Sequence, residues 1–329
     1  MSKRILICGI SGQDGTYLAK MLLERGYDVW GSSRNVERTS FHHARQLGIY
    51  DSLHLVSLNL RDAGRIAGIL EQICPDQIYN LTGQSSVGLS FEQPVETVRS
   101  IAMGTLNLLE SIRRTGNCMR LFNAGSTECF GDTGEGVADE TTPFNPRSPY
   151  AVAKASAYWA VANYRQAYGV FACTGILSAH ESPLRSSHFV TQKVVRAVAS
   201  IAAGNETRLS LGNLEIERDW GWAPEYVEAM ARMLEQSTPE DYIVATGRSH
   251  SLTEFVATTF ELIGKNWRDY VILDDQLIRP TDILKIKVDP SKAEAKLGWK
   301  AKYGIREVIE MMLEAESKLL ASQSSVISK

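Results

Sequence analysis

Residues 4–15 have the sequence RILICGISGQDG, in which the apolar segment Arg4–Cys8 runs directly into a loop with glycines at positions 9, 12 and 15. Glycine has no Cβ atom, so this spacing permits a tight turn, close approach of a pyrophosphate and close packing of helix on strand. The helical pattern that follows places free N–H groups beside the loop. A strand before the loop and a helix after it are the context that gives a glycine pattern its meaning. The stretch therefore predicts a dinucleotide-binding βαβ unit that offers Gly9, Gly12, Gln13, Asp14 and Gly15 to the cofactor.

Short apolar segments and amphipathic helical patterns alternate through the rest of the first half. The predicted strands are Arg4–Cys8, Asp28–Gly31, Leu53–Val56, Gln77–Leu81, Arg120–Ala124 and Ala172–Leu177. The predicted helices between them are Thr16–Arg25, Asp62–Gln72, Ser100–Thr115 and Tyr150–Tyr168. Alternation at this spacing predicts an α/β fold, a Rossmann-type doubly wound parallel sheet with helices on both faces.

The regular alternation ends after Leu177. The elements expected beyond it are a polar loop at Ser178–Phe189, a helix at Val190–Ala203, short strands at Leu209–Asn213 and Tyr242–Ala245, a helix at Ile305–Leu320 and a mobile polar tail at Ser322–Lys329. The late strand is expected to return to the main sheet. We therefore expect a cofactor-binding Rossmann domain over residues 1–177, with a return near 215–250. Residues 178–214 and 251–329 would form mainly a smaller C-terminal α/β substrate lobe.

The composition limits the classes of function. The chain has 329 residues, of which 44% are hydrophobic, and its net charge is -3. This near-neutral balance argues against nucleic acid as the main partner. No apolar run approaches the roughly 18 residues that cross a bilayer, and the N-terminus lacks the apolar core of a signal peptide. We therefore expect a cytoplasmic protein without a membrane partner.

Cysteine and histidine spacing gives no sign of a metal site. The five cysteines are scattered along the chain at positions 8, 74, 118, 129 and 173. An odd number of scattered cysteines in apolar surroundings predicts buried free thiols, as in an intracellular protein. The six histidines show neither HExxH nor paired-ligand spacing, so no metal is expected.

The segment after the second strand favours NADP over NAD. An NAD site usually has a carboxylate there to bind the ribose 2′-OH, but this segment has Arg34 and no acidic residue before Glu37. Arg34 can instead pair with a 2′-phosphate. Asn59, with Leu60, follows the third strand on the adenine side. Leu81, Gln84 and Ser85 follow the fourth strand, and the small residues around them permit close approach of the nicotinamide end.

Two short motifs carry the chemistry. Tyr150 and Lys154 form a Tyr-x-x-x-Lys pair, and residues four apart share one face of a helix. A free tyrosine has a pKa of roughly 10, and a nearby ammonium is expected to lower it toward the range of a general base. Ser126-Thr127-Glu128 adds two hydroxyls and a carboxylate. A second acid/base group beside a hydride-transfer site suggests a reaction that goes beyond oxidation.

Several longer motifs resemble one family of extended short-chain dehydrogenase/reductases, the GDP-mannose 4,6-dehydratases. They are the glycine loop and residues 146–150 (PRSPY), 180–183 (HESP), 189–191 (FVT), 218–221 (RDWG), 279–281 (RPT) and 297–300 (LGWK). The resemblance implies a nucleotide-sugar substrate and a redox-neutral dehydration. By analogy, Tyr150 takes the proton of the sugar C4 hydroxyl while the C4 hydride passes to NADP. Lys154 holds the ribose, and Glu128 removes the C5 proton and helps to expel the C6 hydroxyl as water.

The resemblance also implies further site residues. Ser126 stands where the family has a catalytic Thr, and its hydroxyl can still hydrogen-bond the C4 oxygen. His180 and Arg185 would border the cofactor. The implied substrate contacts are Ser85, Glu128, Lys193, Arg218, Arg279 and Asp282, with the three cations facing the nucleotide diphosphate.

Departures from the family pattern lie on the substrate side. Ala179 replaces an Asn near the substrate phosphates, Ser186 replaces a Gly, and Asp282 retains only the acidic type of its position. These changes leave the sugar and the nucleotide base open.

Other functions and the assembly state also remain open. A reductase that converts a 4-keto-6-deoxy nucleotide sugar with external NADPH shares several of the motifs and can keep a Glu at position 128. A 4-epimerase needs no acid/base group at position 128. A catalytically silent NADP-binding regulator would need none of the groups Tyr150, Lys154 and Glu128. The resemblance suggests a homodimer or homotetramer, with Ser33–Ser40 as an interface loop.

Overall fold

The computed structural model describes residues 2–116, 118–205 and 208–327. Within them the strands are β1 Arg4–Cys8, β2 Asp28–Ser33, β3 His54–Ser57, β4 Gln77–Asn80, β5 Arg120–Ala124, β6 Ala172–Leu177, β7 Ala179–Glu181, β8 Leu209–Leu211, β9 Glu217–Arg218, β10 Trp220–Trp222, β11 Tyr242–Val244, β12 His250–Ser251 and β13 Val271–Leu273.

The helices in the same residues are α1 Gln13–Glu24, α2 His42–Gln46, α3 Ala63–Ile73, α4 Val87–Glu92, α5 Pro94–Val98, α6 Gly104–Thr115, α7 Pro149–Tyr168, α8 Val190–Ala202, α9 Ala223–Glu235, α10 Leu252–Glu261, α11 Ser291–Leu297 and α12 Ile305–Ile327. A π-helical turn, Arg99–Met103, joins α5 to α6. No helix in the described part of the chain is both long and apolar enough to span a membrane.

A parallel sheet organises the molecule. Over the described residues it has seven strands in the order β11-β6-β5-β4-β1-β2-β3, and every neighbouring pair is parallel. The predicted Rossmann-type fold is therefore confirmed. The strand order reverses direction at β1, which has β4 on one side and β2 on the other. In open α/β sheets ligands bind at this switch point, beyond the carboxyl ends of the strands.

Alternation along β1 explains why helices cover both faces. Ile5 and Ile7 face the cluster that includes α1 and α9, whereas Leu6 and Cys8 face the cluster that includes α3 and α6, and all four side chains are completely buried. A strand buried on both faces must be apolar throughout, as residues 5–8 are.

A second apolar cluster lies in the C-terminal part of the chain. Helices α8, α10 and α12 pack around β8 and β13 and bury Val198, Phe255, Phe260 and Ile309. Strand β11 pairs with β6 in the main sheet, and α9 packs on that sheet. The chain therefore leaves the sheet after β6, returns for α9 and β11, and leaves it again.

Several local expectations were wrong. Ser178–Phe189 is not loop throughout, because Ala179–Glu181 forms β7 in parallel pairing with Trp220–Trp222. The last helix extends to Ile327 through most of the predicted tail, while residues 328 and 329 lie outside the described part. Cys74 and Cys118 are exposed rather than buried, although all five cysteines are free.

Candidate active site

The glycine loop after β1 has the shape that a dinucleotide requires. Gly9 has a positive φ of 89°, and a Cβ atom on it would lie 2.8 Å from the Leu81 carbonyl oxygen. A Cβ atom on Gly15 would lie 2.5 Å from the Gly9 oxygen. Gly12 is the N-cap of α1 and has no side chain that could cap the helix. The N–H groups at the N-terminus of α1 are therefore left to hydrogen-bond a ligand held by the loop. These features fit the phosphates of a dinucleotide.

Two capped elements bring the predicted acid/base residues together. Ser126 caps the short 3₁₀ turn Thr127–Phe130 at the end of β5, accepting from the Glu128 N–H at 3.2 Å. Ser148 caps α7, accepting from the Ala151 N–H at 3.1 Å. The first turns of α7 therefore present Tyr150 and Lys154 toward the end of β5.

The Tyr150 phenol and the Lys154 ammonium are both buried, and burial shifts both pKa values toward the neutral form. It raises the pKa of Tyr150 well above the usual value, and a hydrogen bond with Ser126 offsets only part of that rise. It lowers the pKa of Lys154 to about 8. The Lys154 Nζ donates to the Ala124 carbonyl oxygen at 2.6 Å and lies 5.7 Å from the Tyr150 ring centre. The expected lowering of the Tyr150 pKa by Lys154 is therefore absent from this structure.

Glu128 is held by an arginine from a distant part of the sequence. The Arg218 Nε donates to Glu128 Oε1 at 3.2 Å, and both side chains are nearly buried, with 10% and 14% of their surfaces exposed. The Arg218 Nη1 also donates to the Glu217 carbonyl oxygen at 2.9 Å. The guanidinium is thus fixed at β9 and holds the Glu128 carboxylate with a charge-assisted hydrogen bond.

His180 forms an ion pair with the cofactor loop. Its Nε2 lies 2.9 Å from Asp14 Oδ2, and its Nδ1 lies 2.7 Å from the Ser178 carbonyl oxygen. Burial alone would lower the pKa of His180, but Asp14 outweighs burial and raises it. Burial would raise the pKa of Asp14, but His180 outweighs it, and the pKa falls to about 2. The pair ties β7 to the start of α1.

One cavity of about 330 Å³ brings most of the predicted site residues together. Its lining includes Gly9, Gly12, Gln13, Asp14, Gly15, Leu81, Gln84, Ser85, Ser126, Glu128, Tyr150, Lys154, His180, Arg185, Arg218 and Arg279. The volume lies within the usual range for small-molecule sites. Carboxylate, phenol, ammonium and guanidinium groups therefore share the cavity with the glycine loop.

Five predicted site residues do not line this cavity. Arg34 is exposed just after β2, and the Asn59 side chain accepts from the Arg61 N–H. Leu60 is buried in the core, where its carbonyl oxygen accepts from Asn107. The Lys193 Nζ donates to the Ser210 carbonyl oxygen at 2.6 Å. Asp282 stays close to the site residues: burial raises its pKa, and the charges of Arg279 and Arg218 oppose that rise.

Some residues that line the cavity were not predicted from the sequence. They include Val87, Glu181, His188, Ile216 and Trp220. Glu181 belongs to a strand that was predicted as loop, and Ile216 and Trp220 flank Arg218 in a region without regular periodicity. The HESP and RDWG motifs were the available signals for Glu181 and Trp220, because each lies inside one of them. Among the described residues no cluster of three or more His, Cys, Asp or Glu side chains could hold a metal ion.

Comparison with known proteins identifies close relatives. Residues 6–312 match the family described as GDP-mannose 4,6 dehydratase. The chain is 45% identical to GDP-mannose 4,6 dehydratase 1 of Arabidopsis thaliana, covering 96% of this chain and 90% of that one. It is 41% identical to GDP-mannose 4,6-dehydratase of Vibrio cholerae, covering 95% and 94%. Among solved structures, UDP-glucose 4-epimerase of Thermotoga maritima superposes with a TM-score of 0.86 at 21% identity, covering 96% of this chain and 99% of that one.

Proposed function

Because the chain belongs to the GDP-mannose 4,6-dehydratase family, whose members are nucleotide-sugar lyases, we propose that it converts GDP-mannose to GDP-4-keto-6-deoxy-mannose. One observation carries the proposal: Tyr150 and Glu128, the groups for two separate proton transfers, line one cavity with the glycine loop. Oxidation alone needs only the first group. A dehydration needs both within reach of one sugar ring.

The residues of the cavity fit a nicotinamide dinucleotide. Gly9 and Gly15 leave space that any larger residue would fill, and α1 directs its N-terminus at the loop. When bound, the oxidised cofactor would supply a hydride acceptor for C4 and its reduced form a hydride donor for C6, while C5 regains a proton from solvent. We assign the cofactor as NADP, because Arg34 lies exposed at the carboxyl end of β2, where an NAD site has a carboxylate.

The first proton transfer belongs to Tyr150. Its phenolate removes the proton of the C4 hydroxyl, and the C4 oxygen becomes a carbonyl. Since burial raises the pKa of Tyr150, the phenolate needs support from positive charge and hydrogen bonding. The Ser126 hydrogen bond and the charge of Arg185 both oppose the rise in the Tyr150 pKa, and Lys154 lines the same cavity.

The second proton transfer belongs to Glu128. The 4-keto group acidifies the C5 hydrogen, and the Glu128 carboxylate removes it as a proton. The same carboxyl group protonates the C6 hydroxyl, so the C5–H and C6–O bonds break, a C5=C6 double bond forms and water leaves. The Arg218 Nε–H donates to Glu128 Oε1 and so fixes the position of the carboxyl group for this step.

We also propose that Arg279 and Asp282, together with Arg218, contact the nucleotide part of the substrate. Arg279 lines the cavity, and Asp282 lies within the field of both arginines. The diphosphate requires cations, and a ribose hydroxyl can donate to the Asp282 carboxylate.

We further propose that the protein is cytoplasmic and forms a homodimer or homotetramer. Five free cysteines support the cytoplasmic location, and the exposed segment at Arg34 and Asn35 is offered as part of the interface between subunits. Light scattering of the purified protein measures the assembly state.

The activity test uses GDP-mannose with a catalytic amount of NADP⁺ and follows the sugar by NMR. We expect a 4-keto-6-deoxy product without net consumption of the cofactor. Turnover of a 4-keto sugar only, with stoichiometric loss of NADPH, would establish a reductase instead. Reaction with a different nucleotide sugar, but not with GDP-mannose, would contradict the substrate assignment and implicate Ala179.

A further inference from the structure

A buried carboxylate in the cavity wall has no part in the proton transfers described above. Glu181 ends β7 and is 1% exposed, although it lines the same cavity as Tyr150. An ionised carboxylate is costly to bury unless it has charged or hydrogen-bonding partners. Its partners therefore indicate what it does.

The partners of Glu181 converge on one oxygen. Thr191 Oγ1 donates to Glu181 Oε2 at 2.7 Å, and the Arg185 Nε lies 3.1 Å from the same oxygen. The Nε–H is not directed at the oxygen, so this second contact is an ion pair rather than a well-formed hydrogen bond. Glu181 thus holds the Nε edge of the arginine and is itself fixed by the first turn of α8.

Phe189 fixes the plane of the same guanidinium. The central carbon of the Arg185 guanidinium lies 3.5 Å from the Phe189 ring centre, in a cation–π contact. The guanidinium thus has its Nε edge against Glu181 and one face on Phe189, which leaves its two Nη groups free to contact a ligand. Within the described residues neither of them hydrogen-bonds to protein, and Arg185 lines the cavity.

The charge of Arg185 acts on ionisable groups at two places in the cavity. Its charge adds to the effect of His180 in lowering the pKa of Asp14, in the first turn of α1. It also opposes the rise that burial imposes on the pKa of Tyr150. Arg185, the glycine loop and the Tyr150 phenol therefore line one cavity, and the free guanidinium edge belongs to a side chain of that cavity.

We propose that Glu181 is a positioning residue: it holds Arg185 so that the two Nη groups can contact a phosphate of the dinucleotide. A planar guanidinium that is restrained before binding loses little further freedom when it forms a bidentate contact. The inference rests on the cofactor class of the proposed function but not on its substrate or reaction.

The test measures NADP⁺ affinity by calorimetry, without turnover. In Glu181→Gln the dissociation constant should rise about tenfold, a coupling of the size found within one hydrogen-bond network. In an Arg185→Ala background, Glu181→Gln should add no further loss, because its effect acts through the arginine. An unchanged affinity in Glu181→Gln, or additive losses in the double variant, would overturn the proposal.

A matched control separates positioning from general destabilisation. Asp241 is another buried carboxylate paired with an arginine, at 2.6 Å from Arg165, and it lies outside the cavity. Asp241→Asn should lower the melting temperature and leave NADP⁺ affinity unchanged; an equal loss of affinity there would contradict a specific role for Glu181.

Thr191→Val removes only the hydroxyl that fixes Glu181, and it serves if Glu181→Gln does not fold. It should weaken NADP⁺ binding about threefold, less than Glu181→Gln, because the carboxylate keeps its ion pair with Arg185 and loses only one hydrogen bond. Full affinity in this variant would contradict the proposal. Glu181-dependent NADP⁺ binding by a protein inactive on GDP-mannose would leave the inference intact and overturn only the proposed function.

Discussion

The two acid/base pairs in the cavity are assembled in different ways. Tyr150 and Lys154 lie four residues apart on α7, so one helix fixes their spacing. Glu128 and Arg218 are 90 residues apart, and they meet only because β9 packs beside the turn that follows β5. The hydride-transfer group is thus a local feature of the chain, whereas the elimination group depends on long-range packing. Variants in the two pairs should therefore fail at different steps.

The largest effect is expected from Tyr150→Phe, because this change removes the phenol that we propose takes the C4 hydroxyl proton. Product formation should fall about 1,000-fold, within the range of lost general-base catalysis, and no reduced cofactor should form in a single turnover. Tyr164→Phe is the control, since Tyr164 lies on the same helix but hydrogen-bonds Glu110 away from the cavity. Reduced cofactor appearing at the normal rate in Tyr150→Phe would contradict the assignment.

A smaller effect confined to elimination is expected from Arg218→Lys. Lysine keeps the charge but loses the Nε–H that contacts Glu128. Release of the 4-keto-6-deoxy product should slow about 30-fold, the loss of one charge-assisted hydrogen bond, while C4 oxidation in a single turnover stays normal. Arg232→Lys, which alters a similar pair with Glu228 on α9, should change neither rate. Equal slowing of oxidation and elimination in Arg218→Lys would show that the two pairs are not separable.

Arg34→Ala should change cofactor selectivity and leave both acid/base pairs intact. The dissociation constant for NADP⁺ should rise about tenfold, while that for NAD⁺ should not, because only NADP⁺ has the 2′-phosphate. Arg38→Ala alters another exposed arginine of the same segment and serves as control. Calorimetry with each cofactor measures the ratio. Equal weakening of both cofactors, or of neither, would remove Arg34 from the 2′-phosphate site.

The smallest effect concerns Asp14 and His180, a second pair built across the chain. The raised pKa of His180 stabilises the fold below the ordinary histidine pKa, and this contribution is lost as pH rises through the folded-state pKa. The lowered pKa of Asp14 stabilises the fold above the ordinary aspartate pKa and is lost as pH falls toward about 2. Stabilisation is therefore greatest between the two ordinary values, at weakly acidic pH.

His180→Gln should accordingly lower the melting temperature most at weakly acidic pH, by about 3 °C, and less at alkaline pH. Scanning calorimetry of the cofactor-free protein makes the comparison. His54→Gln is the control, because His54 forms a more exposed pair with Asp28 and should show little difference at either pH. A deficit that grows with pH would contradict the assigned direction of the His180 pKa.

Local features were predictable from the sequence, and contacts between distant segments were not. The glycine loop and the Tyr150/Lys154 spacing follow from short-range geometry, since a strand-loop-helix and one helical turn fix them. Strand β7 was missed because three residues carry no periodicity of their own, and its partner β10 lies about 40 residues away in a region without regular alternation. The extra turns of α12 were missed because the polar run SQSS at 322–325 interrupts the apolar pattern of the helix.

The electrostatic state of the site was the least predictable part. Spacing alone suggested that Lys154 lowers the pKa of Tyr150, but burial, which only the packed structure determines, raises it. The resemblance assigned Lys193 to the substrate, yet its ammonium donates to the Ser210 carbonyl oxygen. It also implied an anion-facing Arg218 without indicating that this side chain holds Glu128. In each case the burial or the partner of an ionisable side chain depends on tertiary contacts between segments that are distant in the sequence.

A single-turnover experiment with Glu128→Gln tests most directly whether the two pairs perform separate steps. The variant is mixed with GDP-mannose and stoichiometric NADP⁺, while absorbance follows the reduced cofactor and NMR follows the C5 and C6 hydrogens. We predict that reduced cofactor forms and persists, that the C5 hydrogen does not exchange with solvent, and that C6 keeps its oxygen. Loss of water at the wild-type rate would show that Glu128 is not the group that drives elimination.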